Sequence, residues 1–295
     1  MDGSVGGATM KKDLIIGSFT NYDWDKIKYW ANSIDQSGFT GDKAMIVYNA
    51  SFDTVQELVD KKFIIYAFNR DDTKKQFFFP QQQLIIVVQR FMDLYRFFEG
   101  VDPDKYRYVI HTDVKDVVFQ SNPSDWLTEN MGDAKILASC ESIRYQDEPW
   151  GNENMARSFP LVYNSIKDKP IWNCGVQAGV PTVMRDLWLN IFLISIGSQA
   201  ATQVYNPDQA AYNVLLNSEP YRSITKFSMS EDGWACQAGT TIDPEKIYAF
   251  KPHLLEAQPL WNGNHATTTN GKIHPILHQY DRVPDWKPII ESRYA

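Results

Sequence analysis

The chain has 295 residues, 43% hydrophobic and 22% charged, with a formal net charge of −7. That length buries a sizeable core at the upper end for one domain, and the balance is that of a folded protein rather than a disordered one. The acidic balance argues against nucleic acid as a partner, and no apolar run approaches the roughly 18 residues of a membrane span.

Residues 1–9 have no basic or apolar region and do not make a signal peptide, so they read as a tag or disordered leader before a domain at 10–295. Cys140, Cys174 and Cys236 follow neither zinc nor disulfide spacing. A reducing compartment, and hence a cytoplasmic location, is expected from them.

Residues 14–16 predict a first strand and 24–37 a helix ended by Gly38. A strand at 44–48, a helix at 52–60 and a strand at 63–68 follow, before a polar stretch at 69–75. Pro80 opens a long segment in which Leu84, Val87, Val88, Phe91, Leu94, Tyr95 and Phe98 recur at helical spacing, with Gly100 just past its end. Residues 106–111 predict the fourth strand. Alternation of this kind makes βαβ units and a largely parallel central sheet flanked by helices, in one α/β domain. The second half is less regular. A strand is expected at 136–139, a loop at 149–160, helices at 182–195 and 207–216, and a short strand at 247–250.

Ligands in open α/β sheets bind beyond the carboxyl ends of the strands. The fourth strand runs directly into Asp113 and Asp116 and resumes as Val117-Val-Phe119. Carboxylates interrupting an apolar stretch cost several kcal/mol unless a positive group pairs with them. Strand alternation would point Lys115 away, whereas Mg²⁺ or Mn²⁺ matches carboxylate oxygens and can bridge them to a pyrophosphate. An aspartate-rich turn with Asp116 facing solvent is the alternative.

This strand–Asp–Asp–Val-Val-Phe run resembles the metal-binding Asp-x-Asp motif of the GT-A (Rossmann-like) glycosyltransferases, with two residues between the carboxylates instead of one. The resemblance implies that Asp116 binds the metal and that Asp113 shares it or contacts the donor's ribose. Trp172-Asn-Cys-Gly175 resembles the family's Asn-x-Gly segment, and implies donor contacts at Asn173 and Gly175. A strand and turn needing no ligand explains it equally.

Asn206-Pro-Asp-Gln209 resembles an Asp-Gln helix start. It implies that Asp208 faces the reacting centre, as general base if configuration inverts; if it is retained, Asp208 or Gln209 stabilises positive charge on the anomeric carbon, and Gln209 is also an acceptor candidate. A capped helix accounts for the same four residues. Gly271-Lys-Ile-His-Pro-Ile-Leu-His278 resembles the C-terminal element that completes the metal site. His278, after an apolar strand-like pair, is preferred to His274 as the ligand, with Lys272 and Arg282 offsetting the leaving diphosphate.

Thr20, Asn21 and Tyr22 follow the first strand, where the family holds the nucleotide base, and Arg90 resembles an arginine that reaches the nucleotide. Snorkelling at a helix border explains Arg90 more simply. Glu141 and Trp150 are acceptor candidates. The expected function is transfer of a sugar from a UDP-sugar to a glycan or other hydroxyl acceptor, with Mn²⁺ or Mg²⁺ as cofactor. A sugar nucleotidyltransferase is the first alternative, although Gly17-Ser-Phe-Thr-Asn21 lacks the glycine-rich, arginine-bearing loop of those enzymes. A non-catalytic carbohydrate-binding module, suggested by nine Trp and fifteen Tyr, is the second.

Overall fold

The computed structural model describes residues 11–68, 85–198 and 206–295. The leader 1–9, the polar stretch 69–75 and the Pro80 helix start all fall outside them. The order is β1 (Lys12–Thr20), α1 (Trp24–Gln36), β2 (Asp42–Tyr48), α2 (Phe52–Asp60), β3 (Phe63–Phe68), α3 (Ile86–Gly100), β4 (Tyr106–Thr112), β5 (Val117–Phe119) and α4 (Pro123–Asn130). Then come β6 (Ile136–Arg144), α5 (Pro149–Ser158), α6 (Tyr163–Ile166), β7 (Pro170–Gly179), α7 (Pro181–Ile196), α8 (Pro207–Leu216), α9 (Tyr221–Ile224) and β8 (Thr225–Ser228). The remainder is β9 (Ala235–Gln237), α10 (Ala238–Thr241), α11 (Ile247–Phe250), β10 (Leu260–Trp261), β11 (Ala266–Thr267), β12 (Ile276–His278) and α12 (Lys287–Arg293).

Seven strands form the central sheet in the order β3-β2-β1-β4-β7-β6-β8. β3, β2, β1 and β4 run parallel, and β7 is antiparallel to both β4 and β6. Both faces are covered, which is why the strands read as continuous apolar runs rather than half-polar ones. Leu14 and Ile16 of β1, with Ala44 and Ile46 of β2, pack into the cluster that includes Phe91 and Leu94 of α3 and Leu187 and Trp188 of α7. Ile15 and Met45 point the other way, into the cluster holding Ile27, Trp30 and Ile34 of α1 and Trp126 of α4. The side-chain period of two thus divides each strand between two cores.

β1 lies between β2 and β4, so successive connections leave it on opposite sides. That makes the carboxyl ends of β1 and β4 the topological switch point, where a crevice opens. A smaller sheet, β5-β12-β9, sits beside it.

Three expectations are corrected. Residues 149–158 are helical, not a loop: Pro149 fits the first turn and the Glu148 carboxylate accepts the Gly151 N–H at 2.5 Å. Ile247–Phe250 is a helical turn rather than a strand, with Phe250 N–H donating to Lys246 O at 3.1 Å. Gly100 is the last residue of α3 instead of lying beyond it, and Val101 N–H closes the turn on Phe97 O at 2.9 Å.

Trp188 is fully buried, stacks on Phe98 at 6.0 Å and donates its indole N–H to Gln177 Oε1 at 2.8 Å. Trp188→Ala empties that volume and leaves a buried amide unpaired. The expected cost is about 3–5 kcal/mol in urea unfolding monitored by circular dichroism.

Candidate active site

After Thr112 the chain leaves β4 and turns through Asp113–Asp116. Asp113 N–H donates to Gly175 O at 2.8 Å, and Gln279 N–H donates to Asp116 O at 2.7 Å. β12 pairs antiparallel to β5 with His278 opposite Val117, so a strand from the far end of the sequence carries an imidazole against the turn. His278 Nε2 lies 3.7 Å from Asp113 Oδ2 and 3.7 Å from Asp116 Oδ1. One ligand atom from each of the three residues falls within 4.8 Å of the others.

The donor set fits a divalent cation. Gln237 Nε2 donates to Ser139 Oγ at 2.9 Å, which leaves the Gln237 amide oxygen 2.7 Å from His278 Nδ1. With Nδ1 turned to that oxygen, Nε2 is the ring nitrogen that faces the two carboxylates. This is the orientation that ligating histidines receive from their outer partners, and two carboxylates with an imidazole make a donor set for a divalent cation. Gly175 keeps the space open. A Cβ there would stand 2.5 Å from Asp113 Oδ2 and 2.8 Å from His278 Cε1.

Arg90, from α3, supplies the compensating charge. Its Nη1 donates to Asp113 Oδ1 at 2.5 Å and its Nη2 to Asp208 Oδ2 at 3.0 Å. Burial works against the Asp113 charge, but Arg90 and then His278 outweigh it and hold that carboxyl at about 2. Asp116 is raised, chiefly by burial and then by Asp113 and Asp281, with His278 opposing. Asp208 is also raised, by burial first, against the pull of Arg90.

Asp208 enters on the first turn of α8, after Pro207. Asn206 sits at the N-cap but makes no side-chain cap bond; its carbonyl accepts from Asn154 Nδ2 at 2.7 Å. Asn213 fastens α8 to β7, accepting Trp172 N–H at 2.9 Å and donating to Trp172 O at 2.8 Å. Pairing of β7 with β6 shifts register between Asn173 and Gln177. In that irregularity Cys174 N–H donates to Gln209 Oε1 at 3.2 Å and Gly175 N–H to Asn173 Oδ1 at 2.8 Å.

Arg90, Asp113, Asp116, Gly175, Asp208 and His278 line one cleft of about 630 Å³. Thr20 and Tyr22 stand on its wall beyond β1, with Lys115 and Arg282 near the aspartates. Glu141, Trp150 and Gln209 line it as well. Glu141 accepts Asn173 Nδ2 at 2.8 Å, and burial, with Glu148 nearby, raises its carboxyl to about 7 against the Asn173 bond.

Two sequence-predicted donor contacts are not on the cleft wall. Asn21 takes the left-handed conformation at φ 54° and its side chain donates back to Thr20 Oγ1 at 3.2 Å. Lys272 donates to Asp232 O at 3.1 Å and lies over the Trp126 ring at 5.6 Å. Lys115, expected to point away, lines the cleft and sits 3.8 Å from Asp281, because residues 113–116 form a turn in which strand alternation does not apply. His274 is fully buried and outside the ligand group. Sequence reasoning missed Gln237, Glu148, Thr240, Lys246 and Gln279. The preference of a ligating imidazole for an amide or carboxylate partner could have prompted a search for Gln237, but its partner lies 41 residues away.

Neither a protein-family model nor a curated protein sequence matches the chain. Solved structures do, and the fold is that of the GT-A glycosyltransferases. The galactosyltransferase LgtC, solved with donor and acceptor sugar analogues, superposes with a TM-score of 0.54 at 11% identity, covering 95% of this chain and 93% of that one. An active-site glutamine-to-glutamate variant of LgtC gives 0.52 at 8%, over 90% and 86%. The bifunctional glycosyltransferase WbbM, without ligand, gives 0.52 at 12% over 94% of this chain; the chain spans 47%, about half, of WbbM.

Gln237→Leu frees the His278 ring, and Mn²⁺ affinity measured by calorimetry is expected to fall about 10–100-fold. For Glu141, about 7 when folded against 4.5 when unfolded, the native state alone keeps the proton between those values. Its contribution to stability is full below pH 4.5 and is lost as pH rises to about 7, on the order of 3 kcal/mol. Glu141→Gln should flatten that segment of the stability–pH curve, read from urea midpoints.

Proposed function

We propose that the protein is a divalent-metal-dependent glycosyltransferase that moves a sugar from a UDP-sugar to a hydroxyl acceptor. The observation carrying the reading is the meeting, in one cleft at the β1/β4 switch point, of the Asp113–Asp116–His278 ligand set with the Arg90–Asp208 ion pair. No helix among the described residues is long and apolar enough to cross a membrane.

Asp113, Asp116 and His278 would hold the ion. When bound, a divalent cation neutralises the charge that develops on the departing nucleoside diphosphate. Lys115 and Arg282 add fixed positive charge to the same wall. Tyr22, part-buried beyond β1, offers its ring face to the base, as the donor end of the cleft requires.

Asp208 is clamped by Arg90, which opposes the burial that raises its carboxyl. The ion pair fixes where that carboxylate stands and sets negative charge where it would stabilise positive charge at the anomeric carbon. Asn173, Gln209 and Glu141 present hydrogen-bonding groups to sugar hydroxyls. Trp150, 47% exposed, gives the acceptor an aromatic face. Most of the rate then comes from positioning and fixed charge.

A binding module would need neither the ion site nor the Arg90 clamp. Asp116→Ala should reduce Mn²⁺-stimulated UDP-sugar hydrolysis and transfer by about 10²-fold or more, followed by release of UDP. Full activity in that variant sinks the assignment. In thermal-shift screening of UDP-sugars, a ligand at 100 times its Kd should add about 2.7 kcal/mol of stability, and only with Mn²⁺ present.

A further inference from the structure

The cleft that Trp150 lines is also lined by Gly239, Thr240 and Lys246. The residues that follow, Ile247, Tyr248, Lys251 and Pro252, line with Gln258 a second, shallower cavity of about 350 Å³. Lys246 thus stands where one cavity gives way to the other.

Both cavities rest on one floor. Phe250 of α11 packs in the cluster with Ile143, Tyr145, Met155 and Ala210, which also supports α5, the carrier of Trp150, and α8, the carrier of Asp208. Gln258 Nε2 donates to Thr241 O at 2.7 Å, tying the second cavity to the segment whose Thr240 lines the first. Tyr248 is 90% exposed, so its ring is held over water by the backbone of α11 alone. Among the described residues neither Lys246 nor Lys251 is in an ion pair, although the chain carries a net charge of −7.

We propose that Tyr248 and its cavity form a second sugar-binding subsite, which holds the remote residues of an oligosaccharide acceptor. This rests on the transferase reading above. The flat Tyr248 ring faces the apolar side of a pyranose, while the Lys246 and Lys251 ammonium groups and the Gln258 side-chain oxygen meet its hydroxyls. A protein partner is the poorer occupant. A stable protein interface buries about 800 Å² on each side around an apolar centre, whereas this surface sets one aromatic face among hydrogen-bonding groups. The acceptor is therefore a chain of sugars, with its end at Asp208 and earlier residues lying over α11.

The test is retention of labelled protein, with Mn²⁺ and UDP, on an array of defined oligosaccharides of increasing length. Wild type should retain glycans of about three or more residues and not the corresponding monosaccharides. Tyr248→Ala should weaken that retention about tenfold, and Tyr248→Trp should restore it. Equal retention by wild type and Tyr248→Ala overturns the subsite. So does retention of monosaccharides and disaccharides alone, or of no glycan. The UDP-sugar thermal shift, measured on the same samples, separates the two ideas: its absence in wild type removes the transferase reading, whatever the array reports.

Discussion

A guanidinium sealed under the cleft decides how the floor is put together. Arg90 reaches from α3 to two carboxylates that arrive from opposite directions, Asp113 from the end of β4 and Asp208 from the start of α8. Neither acid is affordable in that setting without it, since an unpaired buried charge costs several kcal/mol. Burial alone would favour protonated acids; the guanidinium keeps Asp113 ionised. The remaining negative charge, on the other side of Asp113, faces Nε2 of His278. One cation is fixed in the sequence, and a second is what the proposed metal would add.

That division explains why α8 is so firmly held. Asn213 grips the Trp172 backbone at both its N–H and its carbonyl, and Cys174 N–H turns to Gln209. Each bond fixes where Asp208 stands relative to β7, and Gly175 on the same strand supplies the clearance that the ligand set needs. Packing, polar satisfaction and site geometry are answered by the same few residues.

The first half of the fold was legible because β1 and β2 are buried on both faces and each helix has a single apolar stripe. The aspartates were legible for the opposite reason, as charges breaking an apolar run. What misled was local composition. Residues 149–158, rich in Asn, Gly and Trp, look like a loop, yet Glu148 caps them into a helix packed through Met155. Lys115 was misplaced by applying strand alternation to a turn. Gln237 and Lys246 could not be found from spacing, because what brings them to the cleft is the pairing of β9 with β12 and the seating of Phe250. Lys272, expected at the donor, is not on the cleft wall for the same reason: its side chain lies across Trp126.

The small sheet β5-β12-β9 has a consequence for biosynthesis. It joins residues 117–119 to 276–278, so the third ligand emerges from the ribosome long after the two aspartates. A nascent chain that has already folded β1–β4 against α1 and α3 holds Arg90 and Asp113, but no imidazole beside them. The Asp113–Asp116–His278 group is completed late in translation, when the strand bearing His278 threads in between β5 and β9.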